Sequence, residues 1–159
     1  MSAQKTHQVT GFIFRVEGDK IYVLLIRRMY FDGGFAWKPP SGTNGAYLAE
    51  SPEETLDRAV LIEAGLDVIN AIPLPRADVE NPADPGLNRG PQTQKWFFIN
   101  NYAGDFRTGR ISNDKEHLDP PEWIPVDEAL GETGERHLVP RHRNALKVAL
   151  SVRTFVIAA

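Results

Sequence analysis

The stretch that decides the fold is Asn44–Leu66, NGAYLAESPEETLDRAVLIEAGL. Ser51 can cap a helix, Pro52 suits its first position, and Glu53 and Glu54 favour the positive end of its dipole. Glu54 lies three residues after Ser51 and completes a capping-box pattern. Leu56 and Val60, with Ala64 beside them, form an apolar stripe, and Gly65 suits the residue that ends a helix. A helix over about Pro52–Ala64, flanked by loops, is therefore expected. Positions 55, 59, 62, 63 and 66 share one flank, because residues three and four apart are neighbours. That flank reads Thr55, Ala59, Ile62, Glu63 and Leu66, and it carries one carboxylate.

Working outward, Gln8–Val16 and Lys20–Arg27 are β-rich runs joined by Glu17-Gly18-Asp19, which predicts a hairpin. Phe35–Lys38 reads as a short strand entering a loop, Pro39-Pro40-Ser41-Gly42, whose paired prolines exclude helix. Further strands are expected at Val68–Leu74, Lys95–Tyr102 and Glu122–Val126. Asp127–Leu130 reads as a helical turn and Arg141–Val152 as a C-terminal helix. Pro75–Thr93 lacks periodicity and is rich in Pro, Gly, Asn and Asp, so it is either a functional loop or a surface insertion. Strands flanking two helices in this order predict an α/β (α+β) sandwich.

The chain has 159 residues, most simply one domain (1–159) with a flexible N-terminus over 1–7. Its 42% apolar and 25% charged residues are ordinary for a soluble protein. A net charge of −3 leaves no basic footprint for nucleic acid or an anionic membrane. With no cysteine, disulfides and Cys-type zinc sites are excluded. No run reaches the length of a membrane span and residues 1–8 have no apolar signal core, so a cytoplasmic location is expected.

The quoted stretch resembles a Nudix box, G-x5-E-x7-R-E-U-x-E-E-x-G-U, where U is a bulky aliphatic. Glu50, Arg58, Val60, Glu63, Gly65 and Leu66 fall on their positions. Asn44 replaces the opening Gly, while Ala59 and Ile62 replace two of the three carboxylates that do the chemistry. Trp37-x-x-Pro40, Glu50-Ser51-Pro52-Glu53-Glu54 and Trp123-x-x-Val126-Asp127-Glu128-Ala129 extend the resemblance to about Gln8–Leu150. Pro40-Ser41-Gly42, Glu116-His117-Leu118 and Arg143-Asn144-Ala145-Leu146 are similar to dihydroneopterin triphosphate pyrophosphatases. The resemblance implies an α/β/α sandwich with a mixed central sheet. It implies metal-dependent hydrolysis of a nucleoside diphosphate linked to another group, with Mg2+ or Mn2+ as cofactor. It makes Glu50, Arg58 and Gly65 a structural brace of the box, and Glu63 a metal ligand and catalytic residue. Glu116 is implied as a second catalytic carboxylate and ligand, and a hydrolase of reduced activity would use Glu63, Glu116 and Glu50 to hold one metal.

A helix with Glu at 59, 62 and 63 would hold hard cations that bridge a polyphosphate and activate water. Losing a positioned base costs about 10²- to 10⁴-fold in rate, so the degenerate box predicts weakened catalysis. Arg27, Arg28 and Trp37 are candidate substrate contacts, because Arg pairs with phosphate and Trp stacks on a base. The plainer readings are a solvated strand end for the arginines and a core residue for Trp37. Three functions stay open: a hydrolase of reduced activity, a non-hydrolytic nucleotide- or metabolite-binding module, and a protein-interaction module. The expected partner is a small nucleotide-like molecule, neither nucleic acid nor membrane, and a homodimer is left open. His7, His117, His137 and His142 match no metal-binding spacing. The residues around His137 and His142 read as a solvated, basic helix start.

Overall fold

The strands at the centre of the molecule are buried on both faces, and their side chains alternate between two cores. The computed structural model describes residues 6–30, 34–44, 49–75, 79–81, 92–105 and 116–158. Its elements are β1 (Thr6–Phe12), β2 (Phe14–Glu17), β3 (Lys20–Tyr30), β4 (Phe35–Lys38), β5 (Ser41–Thr43), α1 (Pro52–Ala64), β6 (Leu66–Pro73), β7 (Val79–Asn81), β8 (Gln92–Gly104), β9 (Glu116–Leu118), β10 (Glu122–Pro125), α2 (Val126–Leu130) and α3 (Pro140–Ala158). One sheet runs β5-β1-β8-β6, with β7 also paired to β8. It is mixed, because β1 and β8 are parallel and the other pairings are antiparallel. In the second sheet β3 pairs with β2 and β10 along its first half and with β4 and β9 along its second.

Side chains along a strand alternate faces, and β8 shows the consequence. Trp96 and Phe98 enter one core with Leu138, Ala145, Leu146 and Ala149 from the α3 side. Phe97 and Ile99 enter the other with Leu56, Val60 and Ala64 of α1. The chain is thus an α/β/α sandwich with a mixed sheet, the fold class that the element order predicts.

Helix α1 has both halves of its capping box: Glu54 N–H donates to Ser51 Oγ, and Ser51 N–H donates to Glu54 Oε1. It ends at Gly65, whose φ of 73° is the left-handed conformation that glycine reaches without strain. The β2–β3 hairpin turns through Gly18 and Asp19, with Glu17 opposite Lys20 and Gly18 at φ 62°.

Several expectations need correction. Thr6 and His7, expected in a flexible N-terminus, are the first rungs of β1, opposite Gln92 and Thr93. The first run is broken at buried Ile13, whose carbonyl accepts from Leu24 N–H. Ser41 and Gly42, read as loop, belong to β5, because β1 offers them antiparallel partners at Thr10 and Val9. Within 75–93, residues 79–81 form β7 on the edge of β8, which itself begins at Gln92. The rest of that segment, apart from Pro75, lies outside the described residues. No helix among the described residues is long and apolar enough to cross a membrane.

Candidate active site

Strand β4 delivers two consecutive side chains to opposite faces. Trp37 turns into the core shared with α3 and is 6% exposed. Lys38 turns the other way, towards α1, where its ammonium meets Glu63. The paired prolines after it then carry the chain into β5, and Gly11 N–H fixes that bend by donating to the Pro40 carbonyl. Strand β5 lies directly against α1. A Cβ on Gly42 would stand 2.7 Å from the Ala59 Cβ. The glycine packed on the helix is therefore Gly42, whereas Asn44 uses its side chain to accept from His7 N–H at 2.8 Å.

This close packing buries Glu63, the one retained of the three carboxylates that do the chemistry. Lys38 Nζ lies 2.5 Å from Glu63 Oε1, and Ser41 N–H donates to the same oxygen at 2.9 Å. The ammonium also donates to Ser41 Oγ at 3.0 Å and to the Pro39 carbonyl at 3.4 Å. Both side chains are withdrawn from water, Lys38 at 4% exposure and Glu63 at 11%. A charge-assisted contact this short between desolvated partners is strong but demanding, since either charge alone would be stranded in the interior.

At the start of the helix, Arg58 grips Glu50 with two hydrogen bonds of 2.9 Å, from Nε to Oε2 and from Nη2 to Oε1. Its Nη2 also donates to the Thr43 carbonyl at 3.0 Å, which ties the loop to both β5 and α1. Buried Thr55 donates to Glu50 Oε1 at 2.9 Å. With the Thr55 proton so directed, His7 Nε2, 3.0 Å from Thr55 Oγ1, acts as a donor. The Arg58 hydrogen bonds, and after the opposing effect of burial that of Thr55, hold the Glu50 carboxyl below the usual range. Burial, opposed by Glu50, pulls the His7 imidazole below its ordinary value.

The remaining candidates lie on adjoining rungs of β3, β4 and β9, where Arg27 is opposite Trp37. Arg27 is paired with Asp119 at 2.7 Å and lies over the Phe35 ring at 5.9 Å. Arg28 follows it on the opposite face of β3, opposite Ala36 and Leu118. Trp37, expected to stack on a base, is core, because the strand pleat turns it away from the α1 side. Glu116 opens β9 opposite Tyr30, while its side chain lies outside the described residues, as does that of His117. Ala59 is 3% exposed beneath β5, whereas Ile62 is 38% exposed on the outer surface. Thus the expected flank splits, with Thr55, Ala59, Glu63 and Leu66 inside and Ile62 outside.

Sequence reasoning missed Lys38, Ser41, Thr55 and His7 as members of this polar network. It also misread His142, whose ring is largely buried against the core. That ring stands edge-on to Trp96 at 5.4 Å, and its Nδ1 is buried with no hydrogen-bond partner among the described residues. Burial first, then the charges of Arg141, Lys38 and Arg28, push the imidazole down to about 3, so it is neutral at physiological pH. The only available signal was Leu138, Ala145 and Ala149 at helical spacing around it. A groove of about 430 Å³ on the outer side of α1 borders the Glu50–Arg58 brace and is lined also by Glu54, Asp57, Leu61, Asp67 and Val68. Its net negative charge opposes a phosphate ligand.

The NUDIX domain family matches residues 5–147. The chain belongs to the Nudix family. No curated protein matches it. Among solved structures it is similar to the Nudix domain of Shewanella oneidensis NrtR complexed with ADP ribose, at 17% identity over 94% of this chain and 89% of that one, TM-score 0.65. A Nudix hydrolase from Nitrosomonas europaea shares 14% identity over 94% and 90%, TM-score 0.68. The MutT Nudix hydrolase of Burkholderia pseudomallei shares 21% over 91% and 97%, TM-score 0.62. At such identities the likeness carries the fold.

Nudix proteins generally use divalent metals. The donors around this box do not fit one. Ala59 and Ile62 offer no oxygen, Glu63 Oε1 is held by Lys38 and Ser41, and Glu50 is held by Arg58 and Thr55. Among the described residues no three His, Asp or Glu side chains converge as a metal-binding group.

Proposed function

We propose that this Nudix domain accommodates a nucleoside diphosphate linked to another group, or a similar pyrophosphate compound, and hydrolyses it at a strongly reduced rate. The observation that supports the reduced rate is the Lys38–Glu63 ion pair, which occupies the box's last carboxylate. Loss of a positioned base alone predicts turnover about 10²- to 10⁴-fold below that of a complete box. Glu116 is the carboxylate we assign to whatever hydrolysis survives, with Glu63 held in place by Lys38. Arg27 and Arg28 are assigned to the ligand's phosphates, Arg27 after exchange of its Asp119 partner. No Mg2+ or Mn2+ ligand set is assigned, since the donors at hand do not form one.

A second reading, a non-hydrolytic nucleotide-binding module, is favoured by the same closed pair and by the ADP-ribose complex of the NrtR domain. The test is hydrolysis of nucleoside triphosphates, dinucleotides, nucleotide sugars and dihydroneopterin triphosphate, with Mg2+ and with Mn2+, beside calorimetric binding of the same panel. Slow turnover by wild type that disappears in Glu116→Gln supports the hydrolase reading. Saturable binding without turnover selects the binding module. Neither binding nor turnover across the panel sinks both.

A further inference from the structure

The surroundings of the Lys38 ammonium are those of a cation site. It is cradled by a carboxylate oxygen of Glu63, the hydroxyl of Ser41 and the carbonyl of Pro39. These are the donor types that hold hard metal ions. All three of these oxygens are acceptors for the N–H groups of an ammonium. The cradle is also rigid: Pro39 and Pro40 fix the turn, Ser41 N–H holds the carboxylate, and Gly42 pins β5 to Ala59. Elsewhere around the box, the positions that the motif gives to carboxylates hold Ala59 and Ile62.

We propose that Lys38 is a built-in counter-cation, standing where the family's divalent metal would otherwise neutralise the box, so that this site is complete without metal. One positive charge on a tethered side chain balances one retained carboxylate. A second carboxylate at position 59, packed beneath β5 on the same buried flank, would leave that balance negative, and Ala59 there is what a single resident charge requires. The inference concerns the cation alone and does not depend on which ligand the domain takes.

The experiment follows Mn2+ by NMR in the wild-type protein, with no nucleotide present. A paramagnetic ion bound at Glu63 would selectively broaden the Ser41 and Glu63 amide signals. Their persistence at millimolar Mn2+ is the expected result, and broadening confined to Glu54, Asp57 and Asp67 of the outer groove counts as persistence. Selective loss of the Ser41 and Glu63 signals overturns the proposal. Lys38→Ala vacates the cradle and exposes its oxygens. This variant should acquire the Mn2+ broadening at Ser41 and Glu63 and show a melting temperature that rises on adding Mn2+, and neither change is expected of the wild type. A folded Lys38→Ala protein that gains neither also overturns it. The wild-type measurement decides the matter if that variant fails to fold.

Discussion

At the scale of single residues, the main energetic commitment is the Lys38–Glu63 pair. Breaking a buried ion pair by removing one partner strands the other charge, at a cost of about 3–5 kcal/mol. Lys38→Met is therefore expected to lower stability by about that amount in urea denaturation. Lys38→Met/Glu63→Leu should recover most of the loss, because packed apolar groups replace a buried pair at little net cost. Equal destabilisation by the single and double variants would show that the pair is not coupled. The Glu50–Arg58 contact differs in kind, since Glu50 borders the outer groove and its role is to join loop, β5 and α1. Both of its residues were visible as motif positions, whereas Lys38 carried no mark beyond its place before two prolines.

At the scale of elements, the contact between α1 and β5 sets the geometry of the site. Gly42 faces Ala59 so closely that an added Cβ would come within 2.7 Å of the helix's own Cβ. Both atoms are anchored to backbone, so neither can swing aside. Gly42→Ala should force the strand from the helix and cost about 1–3 kcal/mol, the usual range for overpacking. It should also lengthen the Ser41–Glu63 hydrogen bond, visible as faster hydrogen exchange at the Ser41 amide. Unchanged stability and exchange would mean that β5 is free to shift. The same contact limits restoration of the box: Ala59→Glu must fit its side chain beside β5, whereas Ile62→Glu projects from the outer surface.

At the scale of the whole molecule, His142 couples the fold to pH. Its folded value of about 3 lies below the ordinary 6.5. Between those values the unfolded chain binds a proton that the folded chain refuses. The stability associated with neutral His142 is complete above about pH 6.5 and is lost as pH falls towards 3, at a slope of up to about 1.4 kcal/mol per unit. Urea midpoints measured between pH 7 and pH 4 should therefore fall more steeply for wild type than for His142→Gln. Parallel profiles would show that this ring is not the responsible group. Glu50 adds a further loss at lower pH, because its depressed pKa stabilises the fold only while the carboxylate stays ionised.

What the sequence determined by itself was what neighbours along the chain control. Ser51, Glu54 and Gly65 specify where α1 starts and stops, because capping is a matter of residues within one turn. The continuous apolar run Trp96–Ile99 marks a strand buried on both faces, helical spacing at Leu56, Val60 and Ala64 marks the buried face of α1, and with the element order they specify the sandwich. The motif frame placed Glu50, Arg58 and Glu63 on their elements for the same reason. Only the tertiary structure decided what those groups meet. Lys38 and Glu63 are 25 residues apart, His7 and Thr55 are 48, and Trp96 of β8 meets the ring of His142 in α3 at 5.4 Å. No local propensity records such encounters. They arise when burial brings distant polar groups into a space without water, where each must find a partner of the right charge or lose its own.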